Sequence, residues 1–332
     1  MPGPLTEITE IATALGTLEA ELDAALACCP GRLRNVDGAV WGRVVEARAG
    51  GGQDRAFATA FANGRAFLEA DDGLRGRPPR TVEWKGPHRP PGDDVIPADL
   101  RVDHVYAVSC KYLSRILLNA GPVRLFDRLL VGEDRAGGDW FAMTAPAEYA
   151  AFYELVRIWV GRPLPDGATD LTRDDRRVVR DALRARQLPP MLRPAWRALV
   201  AAVSARSAER WQERLCDPRT RLRLLWRMLR IGDAPYFVLG TDGAASLRLR
   251  VASSWDWLQA FELRALEVAP RTAGQPEVAW RAVVRHRASG RTADVDGHVE
   301  VRWSHGRFSG APEAKVYLDT PHERVPGYWP LV

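Results

Sequence analysis

The sequence predicts three regions: an α/β N-terminal third, a helical arginine-rich middle, and a mostly antiparallel β C-terminal domain. Three observations support this. Residues 54–131 read in the order helix, strand, acidic turn, strand ending in lysine, helix. Residues 133–230 carry apolar residues at helical spacing. From Pro235 short β runs recur (PYFVLG, SLRLRV, FELRALEV, VAWRAVVRH, HVEVRW and KVYLDT), separated by turn pairs such as Asp242-Gly243, Ser289-Gly290 and Asp296-Gly297. The expected divisions are 1–30, 31–135, 136–232 and 233–332.

Residues 5–27 read as one helix. Ile8, Ile11, Leu15, Leu18, Leu22 and Leu26 recur three and four apart, with acids between them. It is expected to be a packing helix, or a helix that docks a protein partner or a second copy of the chain. Residues 39–50 suggest a short strand before Gly50-Gly51-Gly52. Residues 54–70 read as a helix with Ala56, Phe57, Phe61 and Phe67 on its apolar side. Thr81–Lys85 is a strand candidate. A loop follows (Gly86–Gly92), then Asp93-Asp94 and Pro97-Ala98-Asp99. Val102–Tyr112 is the next strand. Leu113–Leu130 reads as a helix interrupted near Gly121-Pro122.

Residues 145–160 form an aromatic-rich helix with Tyr149, Phe152, Tyr153 and Trp159, and Pro163–Asp170 is a linker. The arginine-rich helices that follow are broken at Pro189-Pro190 and Asp217-Pro218.

A chain of 332 residues predicts about two domains. Hydrophobic content of 46% with 27% charged residues is that of a soluble globular protein. No apolar run reaches the ~20 residues of a membrane span, and the N-terminus lacks the pattern of a signal peptide. Cys28, Cys29, Cys110 and Cys216 show no zinc-site or disulfide spacing, which points to a reducing cytoplasm. The net charge is +5 but unevenly spread. Arg173–Arg230 holds sixteen arginines against six acids, so this stretch carries +10 and the rest of the chain −5. Such a concentration is the electrostatic footprint of a polyanion partner, or else a solvated helical face.

Among 47 Lys and Arg residues there are three lysines: Lys85, Lys111 and Lys315. Each ends a triplet on an expected strand: Glu83-Trp84-Lys85, Ser109-Cys110-Lys111 and Glu313-Ala314-Lys315. Where a chain so biased to arginine keeps lysine, a compact ammonium on a flexible stem has a use that a planar guanidinium does not serve.

The order of elements around Val102–Tyr112 resembles the core of the PD-(D/E)XK nuclease superfamily, the restriction-endonuclease-like fold. In that family one carboxylate opens or interrupts the second strand, and a (D/E)-x-K triplet lies on the next. The resemblance covers residues 54–131. It implies a DNA endonuclease in which carboxylates hold Mg²⁺ or Mn²⁺ and the lysine positions the attacking water. Lys111 matches the motif lysine. Asp99 or Asp103 matches the first carboxylate and metal ligand, with Asp94 a third option. Ser109 stands where Asp or Glu is expected. Some restriction enzymes resemble this departure and take the acid from the following helix. Asp127 is that candidate here, and Glu69, late in the preceding helix, is another.

Two other placements fit the loose formula. Asp72 with Glu83-Trp84-Lys85 keeps an intact acid but leads into a proline-rich loop. Lys85 could still reach the same site from a neighbouring strand. Asp296 with Glu313-Ala314-Lys315 leaves too little chain for a following helix, so Lys315 is expected on a binding surface. The run His298–Phe308 gathers Arg302, Trp303, His305 and Arg307, a set that grips bases or phosphates if it is exposed. As a plain strand it would bury Trp303 and leave the polar residues in water. Trp255 and Trp257 are expected in the core. His298 and His305 lack a third metal ligand. No GxSxG, GxxxxGK[ST] or GxGxxG occurs.

The expectation is a Mg²⁺-dependent endonuclease acting on DNA, with a restriction or phage-defence role. The alternative is a non-catalytic nucleic-acid-binding or scaffold subunit of a larger complex. A third possibility is a protein-interaction module docking through residues 5–27.

Overall fold

The computed structural model describes residues 4–86, 96–112, 115–131, 138–185, 187–243 and 245–332. The chain forms two compact units, each assembled from separated stretches. The first takes Met1–Arg115, Arg230–Phe261 and Pro321–Val332, and the second takes Ile116–Leu229 and Glu262–Thr320.

The first unit begins with α1 (Pro4–Leu18) and α2 (Leu22–Ala27). The expected single helix over 5–27 is therefore broken. Glu21 is extended, and Arg32 donates to the Leu18 carbonyl at the end of α1 (2.9 Å). β1 (Leu33–Arg34) follows, then α3 (Gly38–Ala49) in place of the expected strand. Asp37 caps α3 by accepting the Val40 N–H at 2.8 Å, and Val40 and Val44, four apart, form its buried side. α4 (Asp54–Glu69) falls where periodicity placed it.

Helix α1 is buried from Glu7 to Leu18. It crosses α4 at two glycines. A Cβ on Gly64 would collide with the Thr13 carbonyl, and one on Gly16 with that of Phe61. α1 is thus spent on the core of its own unit, as expected of a packing helix, and Glu7–Leu18 offers no surface for a partner.

The strands β2 (Val82–Trp84), β3 (Leu100–Val102) and β4 (Tyr106–Lys111) form an antiparallel meander. The expected strand Val102–Tyr112 is in fact a hairpin. Asp103 and His104 take positive φ (49° and 60°) and turn the chain between β3 and β4. Asp94 and Leu113 lie outside the described residues.

Ile116–Ala120 forms β5 and Val123–Asp127 one π-helical turn, where a helix over 113–130 was expected. Tertiary pairing overrides the helical reading here, because Leu118 sits opposite Val316 in a sheet. The second unit continues with α5 (Trp140–Thr144), α6 (Pro146–Val160), α7 (Arg173–Ala182), α8 (Arg193–Arg214) and α9 (Pro218–Met228). Thr172 and Asp175 form a capping box at the start of α7.

The chain then returns to the first unit with β6 (Tyr236–Asp242), β7 (Ala245–Val251) and α10 (Ser254–Ala260). β6 runs parallel to β4 and antiparallel to β7. These two strands therefore belong to the N-terminal sheet, not to the C-terminal one. Trp257 is buried and donates to the Pro326 carbonyl, whereas Trp255 is 67% exposed, against the expectation for it.

β8 (Phe261–Thr272), β9 (Pro276–His286), β10 (Thr292–Arg302) and β11 (Glu313–Leu318) build the second sheet, and β12 (Tyr328–Pro330) closes the first. The sheet orders are β1-β2-β3-β4-β6-β7-β12, mixed, and β5-β11-β10-β9-β8, antiparallel. In the second unit α8 is tied to the sheet: Ser204 donates to Arg271 and accepts from the Glu277 N–H, both at 3.0 Å. Phe141, Tyr149, Phe152, Trp196, Trp303 and Phe308 form its aromatic core. No helix among the described residues is long and apolar enough to cross a membrane.

Candidate functional site

The meander of the first unit places four of the singled-out residues together. Trp84 is opposite Leu100, and Leu100 opposite Val108, all three facing the core. One step along, Lys85 donates its N–H to the Asp99 carbonyl (2.9 Å), and Asp99 donates its own to Val108 (2.8 Å). Because side chains alternate across a strand, Lys85, Asp99 and Ser109 form a row on the opposite face, on three neighbouring chain segments. Lys111 follows two residues after Ser109 on that same face.

Asp99 is buried, and Oδ2 accepts the Cys110 N–H at 2.7 Å and the Ser109 hydroxyl at 3.3 Å. Tyr236 of β6 lies within its electrostatic reach. Burial pushes this phenol up, Arg230 opposes that, and Asp99 adds to it. Cys110 points to the other face. Burial raises its thiol well above the usual range, Asp99 and Glu10 reinforce the shift, and the thiol stays protonated rather than nucleophilic.

The other acids have structural occupations. Asp103 sits in the hairpin turn, where it accepts from Arg80 N–H (2.7 Å), Thr81 N–H (3.1 Å) and Arg77 Nη1 (2.8 Å). Burial alone would raise its carboxyl, but the Arg77 and backbone hydrogen bonds hold it below the usual range. Glu69 is largely exposed and pairs with Arg65 one helical turn away (2.7 Å). Asp127 belongs to the second unit, where Arg210 Nη1 donates to it at 2.9 Å. Glu83 pairs with Arg101, and Asp72 approaches Arg250 at 3.6 Å.

Among the described residues no cluster of three His, Cys, Asp or Glu side chains is arranged to hold a metal ion. The row supplies one carboxylate, Asp99, and so does not by itself fit a Mg²⁺ or Mn²⁺ ligand set.

Sequence reasoning missed the polar network behind the row. Asn63 of α4 is buried and donates to the Gly240 carbonyl (2.9 Å) and the Tyr112 hydroxyl (3.2 Å), and it accepts from Arg248 Nε (2.8 Å). Thr13 of α1 shares a 2.7 Å hydrogen bond with Tyr112, and Glu10 accepts from Trp84 Nε1 at 2.6 Å. One signal was available. Thr9, Thr13 and Thr17 repeat every four residues and mark a polar stripe along α1.

The second unit gathers another predicted set. Arg302, His305 and Arg307 line a cavity of about 700 Å³ together with Arg180 of α7 and Arg184 just beyond it. Arg302 pairs with Glu300 at 3.0 Å. Arg307 Nη1 donates to the Leu183 carbonyl (3.1 Å) and its guanidinium lies over the Trp196 ring. Trp303 is buried, and His305 is exposed. Lys315 stands on β11 opposite Glu300, the acid that Arg302 pairs with. It is mostly buried and pairs with Glu313 at 3.5 Å, and Asp296 pairs with Arg281.

Compared with protein-family models, with curated proteins and with solved structures, the chain gives no match.

Proposed function

We propose that the chain is a nucleic-acid endonuclease of restriction-endonuclease-like type, and that the row of Lys85, Asp99, Ser109 and Lys111 is where a phosphodiester is engaged. One observation carries the reading. α4 precedes the antiparallel meander β2-β3-β4, and β6 returns parallel to β4. An acid immediately precedes the middle strand and a lysine ends the third, which is part of the order that the resemblance to the PD-(D/E)XK superfamily calls for; the helix expected after the lysine is replaced by β5. In this reading the two ammonium groups attract the phosphodiester, and Lys111 orients water and offsets charge developing on phosphate oxygens. DNA as the substrate, and a restriction or phage-defence role, come from that resemblance. The row does not complete a divalent-cation site, so no step is routed through one.

The test is cleavage of supercoiled plasmid and of a single-stranded circle with Mg²⁺, Mn²⁺ or EDTA, for the wild type beside Lys111→Ala. Cation-dependent nicking that disappears in a folded Lys111→Ala variant is the expected result. Undiminished cutting by that variant removes the row from the chemistry.

A second reading, a nucleic-acid-binding subunit without cleavage, is favoured by Ser109. Its hydroxyl occupies the place of the second acid and is spent on Asp99. It predicts no cutting with either cation and a DNA affinity that falls steeply as salt rises.

A further inference from the structure

Three cavities of the second unit adjoin through shared arginines. The cavity of about 700 Å³ shares Arg180 with one of about 350 Å³ and Arg307 with one of about 540 Å³. Together they make one groove along α7, the loop after β10 and the start of α8. The sequence of α7 sets much of its charge. Arg173, Arg176, Arg177 and Arg180 fall within about 100° of arc on the helix. Arg184, four residues further, lines the same cavity as Arg180. Nine arginines line the groove against two carboxylates. Both acids are already paired, Asp174 with Arg177 at 3.3 Å and Asp181 with Arg180 at 3.1 Å.

The arginines divide into two kinds. Some hold the groove together. Arg176 Nη1 donates to the Phe308 carbonyl and Arg307 Nη1 to that of Leu183, both at 3.1 Å, which pins the loop to α7. Arg193 Nε donates to the Leu188 carbonyl at 2.9 Å. Gly306, at φ 101°, lies so close to Arg180 that a Cβ would come 2.7 Å from its Cγ. The others face water. Arg173, Arg184 and Arg197 are exposed and have no hydrogen-bond or ionic partner among the described residues. One of them stands in each cavity.

We propose that this groove holds the backbone of duplex DNA, with Arg173, Arg184 and Arg197 each contacting a phosphate. The proposal rests on the reading of the chain as a nucleic-acid protein and adds where the polyanion lies. Repetition favours a polymer. A single small anion would occupy one cavity, whereas an unpaired guanidinium recurs in all three. The 10 residues of α7 span about 15 Å, the axial length of about four phosphates on one DNA strand. Trp196 and Trp303, the large rings that line the groove, are both buried. Bases therefore find no exposed Trp, Tyr or Phe to stack on among the described lining residues. Contacts to phosphate alone position a duplex without reading its sequence.

The experiment measures the affinity of the full chain for two labelled duplexes of unrelated sequence, and for one of their single strands, in EDTA over a range of NaCl concentrations. The wild type is compared with Arg173→Gln/Arg184→Gln/Arg197→Gln. A control loses the same charge outside the groove, at exposed arginines of α8 and α9: Arg214→Gln/Arg219→Gln/Arg223→Gln. Melting temperatures check that each variant folds, and the three single groove substitutions replace the triple if it does not. Both duplexes are expected to bind alike. The groove variant is expected to lose at least ~10-fold in affinity, and its slope of log K against log salt to become shallower by about 2.7, about 0.9 for each phosphate contact removed. The control is expected to keep the wild-type slope. An equal loss in the control, a preference for one duplex sequence, tighter binding of the single strand, or no binding by the wild type overturns the proposal. Plasmid nicking that depends on Lys111, with duplex affinity unchanged in the groove variant, overturns the groove and leaves the cleavage reading standing. Affinity lost in the groove variant, without nicking by the wild type, upholds the groove and removes the cleavage.

Discussion

Ser109 and Asp99 face one another beside the β3–β4 hairpin, with the serine hydroxyl donating to the carboxylate at 3.3 Å while the next amide, of Cys110, donates to the same oxygen at 2.7 Å. A buried carboxylate is thus satisfied partly by the neighbouring strand β4. Ser109→Ala removes one donor and leaves the amide, so a loss of about 1 kcal/mol is expected. Ser109→Asp sets two carboxylates side by side in a buried place. Like charges there disfavour joint ionisation, and a loss of about 3 kcal/mol is expected in EDTA. Chemical denaturation with and without Mg²⁺ checks this. If the pair makes a cation site, Mg²⁺ restores stability to Ser109→Asp and leaves the wild type unmoved. An aspartate tolerated without penalty or cation response would show that the two side chains do not meet.

Gly240 explains how β6 can lie against the end of β4. It pairs with Lys111, and a Cβ would run into the Lys111 carbonyl oxygen. The contact is with backbone, which cannot rotate away as a side chain can. Gly240→Ala therefore pushes β6 from β4, or shifts Lys111 itself. A loss of about 1–3 kcal/mol is expected, the range for overpacking a close-packed interior. Thermal unfolding reads the stability and hydrogen exchange of the β4 amides locates the damage. Stability and exchange equal to the wild type would mean the strands have slack at this point.

The parts of the fold visible in the sequence were those with strong local signals. α4 and α6 follow their apolar spacing, and β8 to β11 follow alternation punctuated by turns. The misread stretches were decided by partners far along the chain. Ile116–Ala120 is apolar enough for either structure and became a strand because β11 offers it an edge. Gly38–Ala49 is rich in Val and Trp, yet the Asp37 cap and the four-residue spacing of Val40 and Val44 make it a helix. The row on the sheet was half legible. Lysine scarcity singled out Lys85 and Lys111, but the hairpin register that aligns Lys85 with Asp99 exists only in the folded sheet. Asp103 looked as good a candidate as Asp99. Positive φ and three donors then assign it to the turn.

That assignment has a consequence for acid stability. Burial would raise the Asp103 carboxyl, but Arg77 and the Thr81 and Arg80 amides outweigh it and leave the folded pKa below the usual value. In Glu83 the Arg101 hydrogen bond, on the adjacent strand, dominates over burial and lowers the carboxyl likewise. A group whose folded pKa is depressed stabilises the fold above its unfolded pKa and loses that contribution as pH falls through the folded value. The unfolded values are about 3.9 for Asp and 4.3 for Glu, so the hairpin is expected to weaken from about pH 4 downward and not near neutrality. Asp103→Asn keeps an acceptor in the turn but cannot titrate, and Arg77→Gln removes the main partner. Both are expected to lower stability at neutral pH and to flatten its dependence on pH below 4. Denaturant midpoints measured from pH 7 to 2.5 read the slope directly. Parallel profiles for Asp103→Asn and the wild type would mean that acid sensitivity originates elsewhere, leaving Asp103 a turn former without an electrostatic part.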